Sequence, residues 1–86
     1  MSFELDAVVN GWIYKIPAEE AQTLDQVVAA ALGQGNHTGR PASDWEVRDV
    51  AGVLLNEYGQ RTLKDLNLTG GEDSRLFLNL RAGSGG

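Results

Sequence analysis

An Asn10-Gly11 pair set between two runs of alternating residues leaves this chain few ways to begin. Both central positions of a type I′ turn need positive φ. Asn tolerates that and Gly adopts it freely, and the twist of such a turn matches that of paired strands. Before the pair, Phe3, Leu5, Ala7 and Val9 alternate with Glu4, Asp6 and Val8; after it, Trp12 to Ile16 continue the strand period. A two-residue turn then pairs Val9 with Trp12, Ala7 with Tyr14 and Leu5 with Ile16 on one face. On the other face Asp6 opposes Lys15, a favourable cross-strand charge pair. Pro17 is expected to end the second strand. Val8 and Ile13 fall opposite the proposed core, and an apolar pair there hints at a partner surface or at self-association, with a homo-oligomer as one outcome.

The period then changes. Thr23 with Gln26 matches a capping box, and Leu24, Val27, Val28, Ala31 and Leu32 fall at i, i+3, i+4, i+7 and i+8. This predicts one amphipathic helix of about three turns, stopped by Gly33 or Gly35. A polar loop over 35–43 leads to a third strand over 45–49, with Trp45 and Val47 on one face and Glu46 and Arg48 on the other. A turn at Val50-Ala51-Gly52 precedes a short fourth strand over 53–55. Leu63, Leu66 and Leu68 have spacings that suggest a short helical turn plugging the open end of the core. The last strand alternates Leu76, Leu78 and Leu80 with Phe77, Asn79 and Arg81 and suits the middle of the sheet, beside the first strand. The sum is an α+β domain over 1–81: a four- to five-stranded mixed sheet with one helix packed across it.

After Arg81 come Ala82, Gly83, Ser84, Gly85 and Gly86, which have almost nothing to pack and form a separate flexible tail over 82–86. Fully extended from Arg81, they reach roughly 20 Å. Glycine lacks Cβ, so such an arm can enter a channel too narrow for other residues and deliver a terminal carboxylate to another enzyme's active site. Read alone, it could equally be a linker-like or frayed end. The body of the chain has to decide.

The composition narrows the classes. Eighty-six residues with 42% hydrophobic and 22% charged content make one ordinary globular domain, large enough for a core but not for a core plus a buried active site. The net charge of −5, with seven scattered basic residues, argues against nucleic-acid binding. The absence of cysteine removes disulfides, thiolate metal sites and thiol nucleophiles. With no leader-like start and no membrane-length apolar run, a cytoplasmic protein that does not bind membrane is expected. His37, alone among Asn36 and Thr38, reads as a loop residue rather than a ligand or base. Gly33, Gly35 and Gly39 lack the Gly-Lys-Ser/Thr and following capped helix of a phosphate loop. Glu19, Glu20 and Asp25 complement the helix dipole. Trp12, Tyr14 and Trp45 read as packing residues. No nucleophile or acid–base constellation is visible, so no enzyme activity, metal site or bound cofactor is expected.

The order hairpin, helix, strand, strand, turn, strand, followed by a glycine pair, resembles the ubiquitin-like β-grasp fold. Arg61-Thr-Leu-Lys-Asp-Leu66 looks like the Thr-Leu-x-Asp-Tyr segment of ubiquitin, and Leu76-Phe-Leu-Asn-Leu-Arg81 with its glycines looks like the final strand and tail. Combined with Asp44-Trp-Glu-Val-Arg-Asp49, these are similar to a family of small bacterial ubiquitin-like proteins encoded beside activating, conjugating and deconjugating enzymes. The resemblance implies a covalent modifier. Its acyl donor would be Gly86, preceded by Gly85, activated at the expense of ATP by the partner activating enzyme. Arg81, Ala82, Gly83 and Ser84 would be the stretch that this enzyme recognises, with Arg81 facing an acidic partner site. A conjugating enzyme, a deconjugating protease and an unknown target complete the implied partners.

The same fold and adenylation chemistry also serve sulfur carriers ending in a thiocarboxylate. A noncovalent ubiquitin-like module is the third alternative. Ubiquitin's apolar reader patch has no close counterpart at Glu46, Arg48, Phe77 and Asn79, where only Phe77 is apolar, so ordinary ubiquitin readers are not expected to bind. Only Lys15 and Lys64 could carry lysine-linked chains.

Overall fold

The computed structural model describes residues 2–37, 39, 41–70 and 74–81. Four strands, β1 (Ser2–Val9), β2 (Trp12–Glu19), β3 (Trp45–Arg48) and β4 (Leu76–Leu80), form one mixed sheet, with a single helix α1 (Leu24–Gln34) packed on one face. The strand order is β2-β1-β4-β3. β4 therefore lies in the middle, parallel to β1 and antiparallel to β3.

The hairpin register is the one the turn dictates. Val9 pairs with Trp12, Ala7 with Tyr14 and Leu5 with Ile16, around Asn10 at φ 52° and Gly11 at φ 86°. Pro17 does not end β2, which continues to Glu19. The residues flanking a two-residue turn form a hydrogen-bonded pair, and bonded and non-bonded pairs then alternate. Pro17 opposite Glu4 is thus a non-bonded pair. Its ring nitrogen faces the outer edge of an edge strand, where no N–H is required.

The capping box is complete. Gln26 N–H donates to Thr23 Oγ1, and Gln26 Oε1 accepts from Thr23 N–H. The buried helix residues are Leu24, Val27, Val28, Ala31 and Leu32, the whole expected stripe. Gly33 lies inside the helix and Gly35 caps it, while the left-handed residue is Asn36 at φ 62°. His37 N–H donates to Leu32 O and Asn36 N–H to Gly33 O, the paired closing bonds of a Schellman motif.

One further expectation changes. The fourth strand over 53–55 is only a bridge between Arg48 and Leu54. The outer edge of β3 is taken instead by Asn56, whose Oδ1 accepts from Val47 N–H at 2.9 Å and whose Nδ2 donates to Trp45 O at 2.8 Å. Together with the bridge, where Leu55 N–H donates to Val47 O and Asp49 N–H to Val53 O, this amide lines the edge that a fifth strand would have covered. The loop over 35–43 ends in a 3₁₀ turn, Ala42–Asp44.

The short helical turn near Leu63 is present. Thr62 Oγ1 accepts from Asp65 N–H, and Asn67, at φ 57°, closes the turn with bonds to Lys64 O and, through the N–H of Leu68, to Leu63 O. Leu63 and Leu68 are buried and Leu66 packs against the core. The segment leading into this turn crosses the start of α1. Gly59 O accepts from Asp25 N–H and Arg61 O from Leu24 N–H, meeting donors that no helical turn can satisfy.

Candidate functional site

The side of the sheet away from α1 brings together the three apolar residues singled out in the sequence. Ile13 pairs with Val8, Val8 with Phe77, Phe77 with Arg48 and Arg48 with Leu54. A single row therefore runs across all four strands: Ile13, Val8, Phe77, Arg48, Leu54. Ile13 is 58% exposed, while Val8, Phe77 and Leu54 are half-buried by one another and by their neighbours. Alternation sends these residues outward as strictly as it sends Ala7, Val9, Leu76 and Leu78 inward. Leu54 escaped the sequence reading because its place depends on the bridge to Arg48.

A charged row borders the apolar one. Asp6 lies between two cations, with Oδ1 3.3 Å from Lys15 Nζ and Oδ2 3.3 Å from Arg75 Nη2. The hydrogen bond from Lys15 holds the Asp6 carboxyl below its ordinary value; partial desolvation opposes this and the bond from Arg75 reinforces it. On the far side Arg48 bridges to Glu46 at 3.5 Å and donates to Gly52 O at 2.7 Å. The pairing of Asp6 with Lys15 is legible from the hairpin. Arg75 is 69 residues away and has no local signal.

Both edges of the sheet are covered in part. Pro17 offers no N–H on the edge of β2, and Gln34 Nε2 donates to Lys15 O at 3.2 Å. Asn56 occupies β3. These features oppose strand-by-strand addition of a second copy and leave the apolar row as the better-formed surface.

Arg81 also has a place within the fold. Its backbone N–H donates to Asp44 O at 2.8 Å and its Nε to Ser43 O at 2.9 Å, tying the end of β4 to the 42–44 turn. Beside it a groove of about 340 Å³ runs between Leu24, Asp25 and Val28 of α1 and Asn56 and Gly59. Arg81 therefore holds the end of β4 against the 42–44 turn. The tail residues Ala82, Gly83, Ser84, Gly85 and Gly86 lie outside the described residues, as do Thr38 and Arg40 of the loop.

Of the packing residues expected, Trp12 and Leu80 depart from the core. Trp45 is buried, but Trp12 is 71% exposed and Leu80 36%, although both lie on the helix side of the sheet. Each sits at the strand end beyond the reach of α1. Lys15 and Lys64 are both exposed, Lys15 with its amine held by Asp6. Among the described residues no group of His, Cys, Asp or Glu is gathered to hold a metal ion, and no helix is long and apolar enough to cross a membrane.

With this geometry in hand, comparison with known proteins places the chain. A family described as a protein of unknown function, DUF2604, matches residues 2–86. The chain belongs to this family. The match takes in every described strand, α1 and the 82–86 segment. It is also similar to the uncharacterized protein y4jI of Sinorhizobium fredii, 34% identical over 83 residues. That alignment covers 96% of this chain and 61% of the relative, so the chain spans about three fifths of the relative's length.

Proposed function

We propose that this chain is a ubiquitin-like modifier of the β-grasp type, acting in the cytoplasm, with the carboxylate of Gly86 as its acyl donor. The observation that carries the reading is the position of β4. The strand that completes the middle of the sheet is fastened at Arg81 and continues in sequence as Ala-Gly-Ser-Gly-Gly. A domain so built holds a slender acyl arm at a fixed point and needs no catalytic side chain of its own.

The chemistry belongs to partner enzymes. An activating enzyme joins the Gly86 carboxylate to the α-phosphate of ATP, releasing pyrophosphate and leaving an acyl adenylate. A cysteine thiolate displaces AMP to give a thioester, and a target amine or hydroxyl then displaces the thiolate. The domain contributes the acyl group and two recognition surfaces, the open sheet face and the Arg81 end.

The test is mass spectrometry of the protein recovered from its native host, where the implied activating and conjugating enzymes would act on it. A Gly86 remnant on another polypeptide, lost when one residue is added after Gly86, supports the modifier. A free chain with one terminal oxygen replaced by sulfur supports a sulfur carrier instead. An unmodified carboxylate throughout favours a noncovalent interaction module, a reading supported by the apolar row of Ile13, Val8 and Phe77.

A further inference from the structure

The charges on the open face of the sheet are placed by the same register as its apolar row. Val8 pairs with Phe77 at the middle of the sheet, and one step along the strands Asp6 lies beside Arg75. Lys15 flanks Asp6 on β2, and Glu46 bridges to Arg48 on β3. In and next to the apolar row, the cations Lys15, Arg48 and Arg75 are thus offset by Asp6 and Glu46 among the described residues. The chain carries a net charge of −5, yet this face is nearly neutral and alternates in sign. Two copies can therefore bring it together without net repulsion.

A two-fold dimer requires a surface that complements its own image. Sheets stacked face to face lie about 10 Å apart with their strands roughly aligned, and two kinds of axis satisfy that. An axis along the apolar row stacks Arg48 on the second copy's Arg48, like charge on like. An axis parallel to the strands, between β1 and β4, instead sets Val8 against the second copy's Phe77 and Ile13 against its Arg48. The same rotation sets Asp6 against the second copy's Arg75, and every contact occurs twice. Each Asp6 already pairs with Arg75 of its own chain, so the four side chains alternate in sign around a closed ring. The strands of the face cover roughly 400 Å², a size that suits a weak dimer.

We infer that the open sheet face is a self-association surface, on which a second copy of this chain stacks about a two-fold axis parallel to the strands. The apolar row supplies the driving force, and the pairs of Asp6 with Arg75 set the orientation. Pro17, Gln34 and Asn56 on the sheet edges keep the copies from joining edge to edge instead. Rotation about this axis preserves strand direction, so both copies of β4 end at the same end of the dimer. A different protein that reads the face competes with the second copy. The inference stands apart from the modifier reading, because it depends on the face and not on the fate of Gly86.

The experiment is sedimentation equilibrium of the full chain from micromolar to millimolar concentration, with amide shifts of the ¹⁵N-labelled protein followed on dilution. The mean mass is expected to rise toward that of a dimer, with a dissociation constant on the order of 100 μM. Dilution shifts are expected to centre on Val8, Ile13 and Phe77. Ile13→Lys, at a side chain 58% exposed, sets a cation against the second copy's Arg48 and is expected to weaken association about tenfold. Asp6→Lys and Arg75→Glu each oppose like charges twice, so each alone is expected to stay monomeric. Their equimolar mixture is expected to associate, because both pairs between the copies are then opposite in sign. Amide spectra check that each variant folds; if a charge variant does not, Ile13→Lys and the dilution shifts decide. The inference is overturned if the parent stays monomeric throughout, the result expected of a face kept for a different protein. Dilution shifts on another surface, parent-like association of Ile13→Lys, or no association in the mixture of folded charge variants would equally overturn it.

Discussion

Replacing Asn56 by Ala tests whether one amide side chain substitutes for a missing edge strand. The change removes two hydrogen bonds, from Val47 N–H at 2.9 Å and to Trp45 O at 2.8 Å. Each bond contributes about 0.5–1.5 kcal/mol net, and a backbone group left unpaired costs more only where water cannot reach it. Val47 and Trp45 are buried through their side chains, but their outer backbone groups lie on an edge that Asn56 half covers. Water reaches them once the amide is gone, so the loss is expected near the sum of the two bonds, about 2 kcal/mol. A domain of this size has a total of about 4–13 kcal/mol and responds by roughly 4–8 °C per kcal/mol, so Tm falls by about 10 °C. The assay is urea unfolding with native-state hydrogen exchange. The midpoint falls at constant slope, and Val47 N–H loses protection beyond the global change. Asn56→Asp keeps the acceptor for Val47 but sets a carboxylate oxygen against Trp45 O, so it should protect Val47 N–H better than Asn56→Ala does. If Val47 N–H exchanges alike in Asn56→Ala and the parent, after correction for global stability, the reasoning fails.

Three further outcomes follow from the same geometry. Because the bonds to Asp6 depress its carboxyl below the ordinary 3.8, its ionised form stabilises the fold at neutral pH. That contribution is present above the ordinary value and lost as pH falls through the depressed one. The stability gap between the parent and Asp6→Asn should therefore be flat near neutrality and close in acid, read from urea midpoints against pH. Gly35→Ala puts a Cβ 2.6 Å from His37 Cδ2 and 2.8 Å from Tyr14 Cζ, so both rings must move. The expected cost is about 1–3 kcal/mol, with shifted His37 and Trp45 ring resonances as the signature. Thr23→Ala removes the capping acceptor and should cost about 1 kcal/mol in a thermal melt without changing the fold.

Residues whose places are set by their neighbours along the chain are legible from the sequence alone. Asn10-Gly11 fixes the pairing of Asp6 with Lys15, and Thr23, Gln26 and the stripe from Leu24 to Leu32 fix the helix and its buried face. Even the central place of β4 follows from the leucine alternation together with the element order. What the sequence does not reveal depends on contacts across the fold. Pro17 belongs to β2 because that strand is an edge, and Leu54 makes only a bridge because Asn56 fills the position beyond β3. Leu80 obeys the alternation yet emerges at the surface, since β1 ends opposite Leu78 and α1 stops short of it. For the candidate site, Val8, Ile13 and Phe77 are legible as outward residues. Their alignment in one row, and the tie from Arg81 to the 42–44 turn, require the register of strands far apart in the chain.

The parallel pairing of β1 with β4 has a consequence for how the molecule is made. Asp6 and Arg75 meet across 69 residues, so closing the sheet costs on the order of 4 kcal/mol of chain entropy before its central contacts form. During synthesis at roughly 5–20 residues per second, the N-terminal hairpin and α1 wait several seconds for their partner strand. Until then Leu5, Ala7 and Val9 have only one neighbouring strand. The event that completes the core is thus the arrival of the segment just before the tail. A chain interrupted ahead of Leu76 lacks the strand that joins β1 to β3, and its core stays open.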